Sequence, residues 1–316
     1  MGRYVVRRLL YMPVVIVFVS ALVFVLVRLP FARDPVSMML TMDATPEQRQ
    51  ALRHELELDR PIPVQYVHWV GRMVKGDLGN TFRGDQPVWR EIKRRVPVTF
   101  EIAILAVLTS NLVGISIGVM SALKQNTLPD YLARIAAVFG QSIPEFFTLV
   151  LLIVLPSIWW NYSPPVGGHI TFLADPWENL RLYLPPAILL GLTHASGMMR
   201  LTRSTMLEVF RQDYIRTARA KGLANKDVIV RHALRNAMIP LVTVFAGQVG
   251  SLLFGSLIFE IIFSVQGIGQ FFFQSLQAAD MPVVQALTVY TAVIIVTINL
   301  IVDFSYPLID RRVAYT

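Results

Sequence analysis

Six stretches of this chain are long and apolar enough to cross a hydrocarbon layer roughly 30 Å thick, and they rule out nearly every soluble architecture. They run from Leu9 to Leu29, Pro97 to Leu123, Leu132 to Trp160, Leu184 to Met199, Met238 to Phe263 and Val283 to Ser305. Backbone polar groups in lipid need internal partners, so stretches of this length are read as helices. The fourth is the weakest: it carries His194 and Ser196 and needs Leu182 or Tyr183 to reach full length. The first follows Arg3, Arg7 and Arg8, as a secretory leader would. Its apolar run of about 21 residues exceeds a leader's core, however, and no small-x-small cleavage site follows it. The chain is 54% hydrophobic and only 16% charged, with a mean hydropathy of +0.53, and soluble chains of this size rarely hold so little charge. The expected fold class is an all-α polytopic membrane protein with six transmembrane helices.

Basic residues orient the spans. With both termini in the cytoplasm, the inner side holds Arg3, Arg7, Arg8, Lys124, nine Lys/Arg of a central loop, Arg311 and Arg312. The two short outer loops, near Asn161–Leu182 and Ser264–Pro282, hold only Arg181. Residues 31–96 carry eleven basic and nine acidic side chains and fall outside; segments this long translocate largely regardless of charge. The net charge of +8 thus follows membrane topology, with lipid as a partner, and carries no nucleic-acid motif. Cysteine is absent, which excludes disulfides, thiol catalysis and Cys-ligated zinc.

The expected division is an N-terminal transmembrane helix over 1–30, a small extracytoplasmic helical insertion over 31–96, and a five-helix core over 97–316. In the insertion, Thr45-Pro46-Glu47-Gln48 reads as a capping box with Pro at the first helical position. Leu52 and Leu56 continue that helix, and Pro61 and Pro63 are expected to end it. Val67, Val70 and Val74 mark a second helix ended by Gly76. Trp89-Arg90-Glu91-Ile92 is expected to run along the interface before the second span.

Between Met199 and Arg235 nine Lys/Arg stand against three Asp/Glu, flanked by apolar spans. Leu207, Phe210, Tyr214 and Ala218 recur at helical spacing, predicting one apolar stripe. Gly222 supplies a C-terminal stop, and Asn225 is expected to cap a second helix whose first turn holds Asp227. The expected structure is a helix–turn–helix on the membrane surface, its tip Gly222-Leu223-Ala224-Asn225 pointing toward something soluble. A basic loop resting on anionic lipid is the alternative from composition alone.

YIRTARAKGL followed by RHALRNAMIP resembles the cytoplasmic coupling loop of ABC-importer permeases of the dipeptide/oligopeptide/nickel family. In the general importer pattern (EAA, three residues, Gly, nine residues, I-x-L-P), Ala218, Gly222 and Leu234 fit. Arg216, Thr217, His232 and Arg235 stand where Glu, Ala, Ile and Pro are expected, a wording typical of the peptide branch. The resemblance covers essentially the whole chain, including KGDLGNTFRG, VPVTFEIA, ALKQNT and GSLIFEIIFSVQGIGQ. It implies the type I importer permease fold in a bacterial or archaeal cytoplasmic membrane. This chain would be half of a heterodimeric pore, with a second homologous permease as the other half. Two ATP-binding cassette ATPases would dock under the coupling loop of residues 200–238, and an extracytoplasmic solute-binding protein would deliver di- or oligopeptides. Tyr214, Arg216, Thr217, Ala218, Ala220, Gly222, Leu223 and Asn225 would carry the coupling. Nickel, glutathione or oligosaccharide cargo, and an ion-coupled secondary transporter, are the alternatives.

Catalysis by the chain itself is not expected. It has no G-x-x-x-x-G-K-[ST] loop, so ATP and Mg2+ belong to partner subunits and no cofactor is expected here. None of His54, His68, His169, His194 and His232 forms a metal pair. Ser196 follows His194 by two residues and would point about 200° away on one helix, too far to share a proton; polar packing explains the pair better. Ionisable groups within the spans are Glu101, Glu145, Glu260 and Asp303, with Arg134 near an inner end. Burying charge in hydrocarbon is costly, so such groups face a cavity or a partner. Glu145 stands mid-span directly after Pro144, which frees a backbone carbonyl. Glu145, and with weaker support Glu260, are the translocation-pathway candidates. Gly267 and Gly269, beside Phe271, Phe272 and Phe273, read as a tight turn at the outer gate.

Overall fold

Apart from one isolated bridge between Asn80 and Pro87, the regular structure among the described residues is entirely helical. The computed structural model describes residues 2–28, 36, 40, 44–55, 57–82, 85–161 and 170–309. The helices are α1 (Gly2–Leu26), α2 (Pro46–Glu55), α3 (Ile62–Val74), α4 (Val88–Leu123), α5 (Leu128–Ser142), α6 (Glu145–Trp160), α7 (Pro176–Phe210) and α8 (Asp213–Ala220), followed by α9 (Arg235–Ile262), α10 (Ile268–Gln277) and α11 (Met281–Ile309). A single helical turn, Asn225–Asp227, and a π-helical stretch, Val228–Leu234, lead into α9.

Among the described residues, three helices are long and apolar enough to cross a membrane unaided, over Leu9–Leu26, Val88–Leu123 and Met281–Ile301. Two broken pairs qualify when each is taken as one span. α5 and α6 meet at 102°, and the stretches Asn225–Met238 and Pro240–Leu252 meet at 51°. The fourth apolar stretch lies in α7, whose 35 residues give ample length at 1.5 Å per residue but carry too many polar groups to qualify. The breaks fall at Pro144 and Pro240, where a proline removes a backbone donor.

The helices fall into two compact units: the described residues of 1–97 with 267–300, and those of 98–266 with 301–309. In the first, Val88 and Ile92 of α4 pack with Ile268, Phe271, Val283 and Leu287. α1 is tied to α3 where Phe24 meets Tyr66 and Trp69 at ring separations of 5.3 and 5.2 Å, with Arg28 3.5 Å from the Phe24 ring. The capping box forms reciprocally: the Gln48 backbone N–H donates to Thr45 Oγ1 (3.3 Å) and the Thr45 N–H to Gln48 Oε1 (2.9 Å). Gly76 ends α3 at φ +85°, as predicted. Pro61 and Pro63 do not end α2. Pro61 is instead the N-cap of α3, and Pro63 sits in its first turn, where a missing N–H costs nothing. The Trp89–Ile92 segment is likewise no separate interfacial piece, because α4 runs unbroken through it and through Pro97.

The second unit has a core of Ile102, Ala106, Leu149, Tyr183, Leu190, Leu252, Phe259 and Phe263. Helices in lipid associate by close packing of small residues, and α4 meets α7 this way. A Cβ built on Gly118 would lie 2.6 Å from Thr202 Cβ and 2.7 Å from the Met199 carbonyl oxygen. One on Gly191 would lie 2.6 Å from both the Ala106 carbonyl oxygen and Thr109 Cβ. The side chain of Asp303 and residues 162–169, which include His169, lie outside the described residues.

Candidate functional site

The stretch from Leu207 to Ala218 does not form the one helix its spacing suggested. α7 ends at Phe210 and α8 begins at Asp213. The break turns the stripe, so Ile215 and Ala218 are buried while Tyr214 is exposed. Ile215 and Ala218 pack with Met206, Ala122, Val228, Ala233 and Ala237, seating α8 on the ends of α4 and α7. Arg216, Thr217, Ala220, Gly222, Leu223 and Asn225 are all exposed. Gly222 takes φ +75°, and a Cβ added there would meet nothing within 4 Å, so glycine is needed for conformation and not for space. Asn225 is not the cap of the second helix: Ala224 is the N-cap, without a side-chain bond, and Asn225 is the first helical residue. The π-helical turn that follows belongs to a class enriched at functional sites.

Beneath this loop lies a buried charge cluster the sequence did not reveal. Asp130 is fully buried and accepts two bonds from Arg203, Nε to Oδ1 at 2.7 Å and Nη2 to Oδ2 at 2.9 Å. It also accepts from Ser121 Oγ (2.5 Å) and the Asn126 N–H (3.0 Å). Arg134 approaches the same carboxylate at 3.8 Å. A bidentate fork with every lone pair engaged is the condition under which a buried pair holds together. The cluster joins α4, α5 and α7 at the base of α8. Asp130 and Arg203 lie 73 residues apart, and the only sequence signal was an acid in the first turn of a Pro-started helix.

Higher in the bundle a polar layer crosses α4, α7 and α9. Gln248 Oε1 accepts from Asn111 Nδ2 (3.2 Å), and Gln248 Nε2 reaches Ser110 Oγ (3.3 Å) and the His194 carbonyl oxygen (3.4 Å). Glu145 is half-buried at the start of α6, and its Oε1 is buried without a hydrogen bond. Glu260 is fully buried within this chain and accepts a 2.7 Å bond from Thr99 Oγ1. This holds α9 to α4. The turn after α9 does not rest on the glycines. Ser264 carries the positive φ (52°), and the Val265 N–H closes the helix end onto the Glu260 carbonyl at 2.8 Å. Gly267 is the extended N-cap of α10 and Gly269 lies within it.

Known proteins match this chain over its whole length. Residues 114–315 match the binding-protein-dependent transport system inner membrane component family, and residues 1–103 match the N-terminal part described for such membrane components. The dipeptide transport system permease protein DppB of Escherichia coli (strain K12) is 37% identical, covering 100% of this chain and 99% of that one. A putative peptide transport system permease protein of Brucella abortus (strain 2308) is also 37% identical, with 100% of both chains covered. Among solved structures, the inward-facing MetNI methionine ABC transporter aligns with a TM-score of 0.57 at 18% identity, over 70% of this chain and 97% of that chain. An amino acid ABC transporter with histidines aligns at 0.51 and 14% identity, over 69% and 94%; at such identities the likeness speaks for the fold alone. With both family descriptions matched in order along one chain, the protein belongs to the inner-membrane components of binding-protein-dependent transport systems.

Proposed function

We propose that this chain is one permease subunit of an ATP-driven importer of di- or oligopeptides. The observation that carries the reading is full-length identity of 37% to permeases named for dipeptide and peptide transport. The ion-coupled alternative has no comparable support; nickel, glutathione and oligosaccharide remain rival cargoes. A second, homologous permease completes the pathway, two ATPases dock on the exposed face of α8 and its tip, and a solute-binding protein delivers cargo from outside. ATP and Mg2+ belong to the ATPases, and this chain binds no cofactor. Both termini and α8 face the cytoplasm. The coupling residues are Tyr214, Arg216, Thr217, Ala218, Ala220, Gly222, Leu223 and Asn225. Ala218 acts as part of the buried anchor, and the exposed members act as the docking face.

The chemistry of coupling follows from that division. ATP-driven closure of the ATPases displaces α8. Ile215 and Ala218 seat α8 on α4 and α7, and Asp130, held by Ser121 of α4 and Arg203 of α7, ties those helices to α5, so the displacement passes to the bundle as alternating access. Glu145, beside the Pro144 break, supplies a counter-charge for a peptide's terminal ammonium in the low-dielectric path.

The test is Gly222→Val in the reconstituted importer with its binding protein and dialanine as cargo. The branched side chain has room but resists positive φ, at a cost of about 1–2 kcal/mol. The ATPases should still co-purify, while dialanine-stimulated ATP hydrolysis falls to near the cargo-free rate. Gly222→Asn, which tolerates left-handed backbone better, should retain most of the stimulation. Stimulation by dialanine unaltered in the Val variant would remove the tip from the mechanism, and a wild-type complex indifferent to both dialanine and pentaalanine would remove peptides as cargo.

A further inference from the structure

We propose that the cavity between α10 and the first turns of α4 binds zwitterions, with Arg95 receiving a carboxylate and Glu91 an ammonium. The inference rests on the peptide-import reading and gives it an outer station for short peptides whose two ends are both free.

The cavity measures about 510 Å3, within the range that holds small ligands, and its walls all belong to the first compact unit. One wall is α10, through Phe271, Gln274 and Ser275, and another is the start of α4, through Glu91 and Arg95. Val88 and Ile92 of α4 pack with Ile268 and Phe271 of α10, which holds those two walls together. The third wall is the turn that carries Thr81. Its backbone is fixed, because the Thr81 N–H donates to the Gln86 carbonyl at 2.9 Å and the Phe82 N–H to Asp280 Oδ2 at 2.9 Å. The Asp280 N–H closes the end of α10 onto the Ser275 carbonyl at 2.8 Å.

Two opposite charges stand side by side in this space. Arg95 Nε and Nη2 both lie 3.1 Å from Glu91 Oε2, and the Arg95 guanidinium carbon lies 4.5 Å from the centre of the Phe271 ring. Both ion-pair contacts use one carboxylate oxygen, so Glu91 Oε1 and Arg95 Nη1 are left over for a ligand. The two side chains are only 20% and 15% exposed, and charge-assisted hydrogen bonds strengthen as water is withdrawn. Ser275 is 4% exposed. Its carbonyl is engaged by Asp280, but its hydroxyl, on the cavity wall, makes no hydrogen bond among the described residues. Buried hydroxyls normally have a partner, and a polar ligand in the cavity supplies one.

The arrangement selects by charge. Glu91 and Arg95 cancel, so a ligand with a single charge is attracted by one and repelled by the other. A zwitterion laid antiparallel to the pair sets its ammonium against Glu91 Oε1 and its carboxylate against Arg95 Nη1, and both contacts are favourable. Between those ends a dipeptide carries one peptide group. The Ser275 hydroxyl and the Gln274 amide each donate and accept, and so match its oxygen and its N–H. A peptide blocked at either end keeps that middle and loses one charge.

The chain holds no cysteine, and Gln277 lines the cavity at an exposed position. The test places Gln277→Cys in the purified complex of both permeases and the ATPases, and reads the rate at which an uncharged maleimide labels this subunit. Co-purification of the partner subunits is the folding control. Dialanine should slow the labelling. N-acetyl-dialanine and dialanine amide should need about tenfold higher concentrations for equal protection, the loss expected for one hydrogen bond to a charged group. Adding Glu91→Gln should erase the advantage of dialanine over the N-acetyl form and keep its advantage over the amide. Arg95→Gln should do the reverse, a crossed selectivity that general damage to the fold would not produce. Labelling unchanged by dialanine, or charge variants that weaken all three ligands in equal proportion, would overturn the site while leaving peptide import intact. Labelling slowed by the solute-binding protein and not by dialanine would assign the cavity to protein docking and overturn it as well. A parent complex that imports neither dialanine nor pentaalanine would overturn the peptide reading, and this inference with it.

Discussion

Arg203 holds Asp130 by two parallel hydrogen bonds, 2.7 and 2.9 Å long, across the interface between α5 and α7. The carboxylate is fully buried and the arginine side chain is 18% exposed. Removing one member of such a pair strands the other charge. Arg203→Ala should destabilise the subunit by on the order of 2–3 kcal/mol, the residual exposure of Arg203 keeping the cost below the range for fully buried pairs. Arg203→Lys keeps the charge but loses the fork and should fall between. Thermal unfolding of the purified subunit in detergent, with Asp130→Asn and the double variant closing the cycle, measures the coupling. Independent, additive losses would show that the two side chains do not depend on each other.

The close approach of α4 and α7 makes a second prediction. At Gly118 a new Cβ would press on the Thr202 side chain and the Met199 carbonyl at 2.6 and 2.7 Å, and neither neighbour is the free end of a flexible chain. Gly118→Ala should lower stability by about 1–3 kcal/mol, the usual cost of overpacking, despite Ala's better helix propensity. Gly247→Ala, on α9 with nothing within 4 Å of the new Cβ, should be neutral or slightly stabilising in the isolated subunit. Thermal unfolding of the two variants side by side decides it; equal midpoints would mean α4 and α7 do not meet so closely.

Orientation gives a third. The natural chain has no cysteine, so single cysteines report without background. Lys75→Cys and Gln277→Cys, both at exposed positions, should react with an impermeant maleimide added to intact cells. Lys226→Cys, on the exposed turn after Gly222, should react only after the membrane is opened. Labelling of position 226 in intact cells would place the α8 loop outside and end the coupling argument.

Much of this molecule was written locally in its sequence. Apolar runs of about 20 residues announce helices that span, and those runs correspond to the long helices and bent pairs of the structure. The capping box at Thr45 and the helix stops at Gly76 and Gly222 are each decided by a few neighbouring residues, and they appear where the sequence puts them. The basic loop gave away the family because its wording lies in one continuous segment. What failed was whatever depended on a neighbour distant in sequence or on an exact helix boundary. The α7–α8 break exchanged Tyr214 for Ile215 as the buried residue, since skipping two residues of a 3.6-residue period turns a face away. Ala224 became the N-cap that Asn225 was expected to be, and Ser264 took the left-handed turn expected of the nearby glycines. Only tertiary packing could bring Asp130 to Arg203, or Gln248 to the carbonyl of His194. A charge or an amide in a sequence shows that it needs a partner, but helices from remote parts of the chain supply that partner, and the low dielectric between them makes the pairing obligatory.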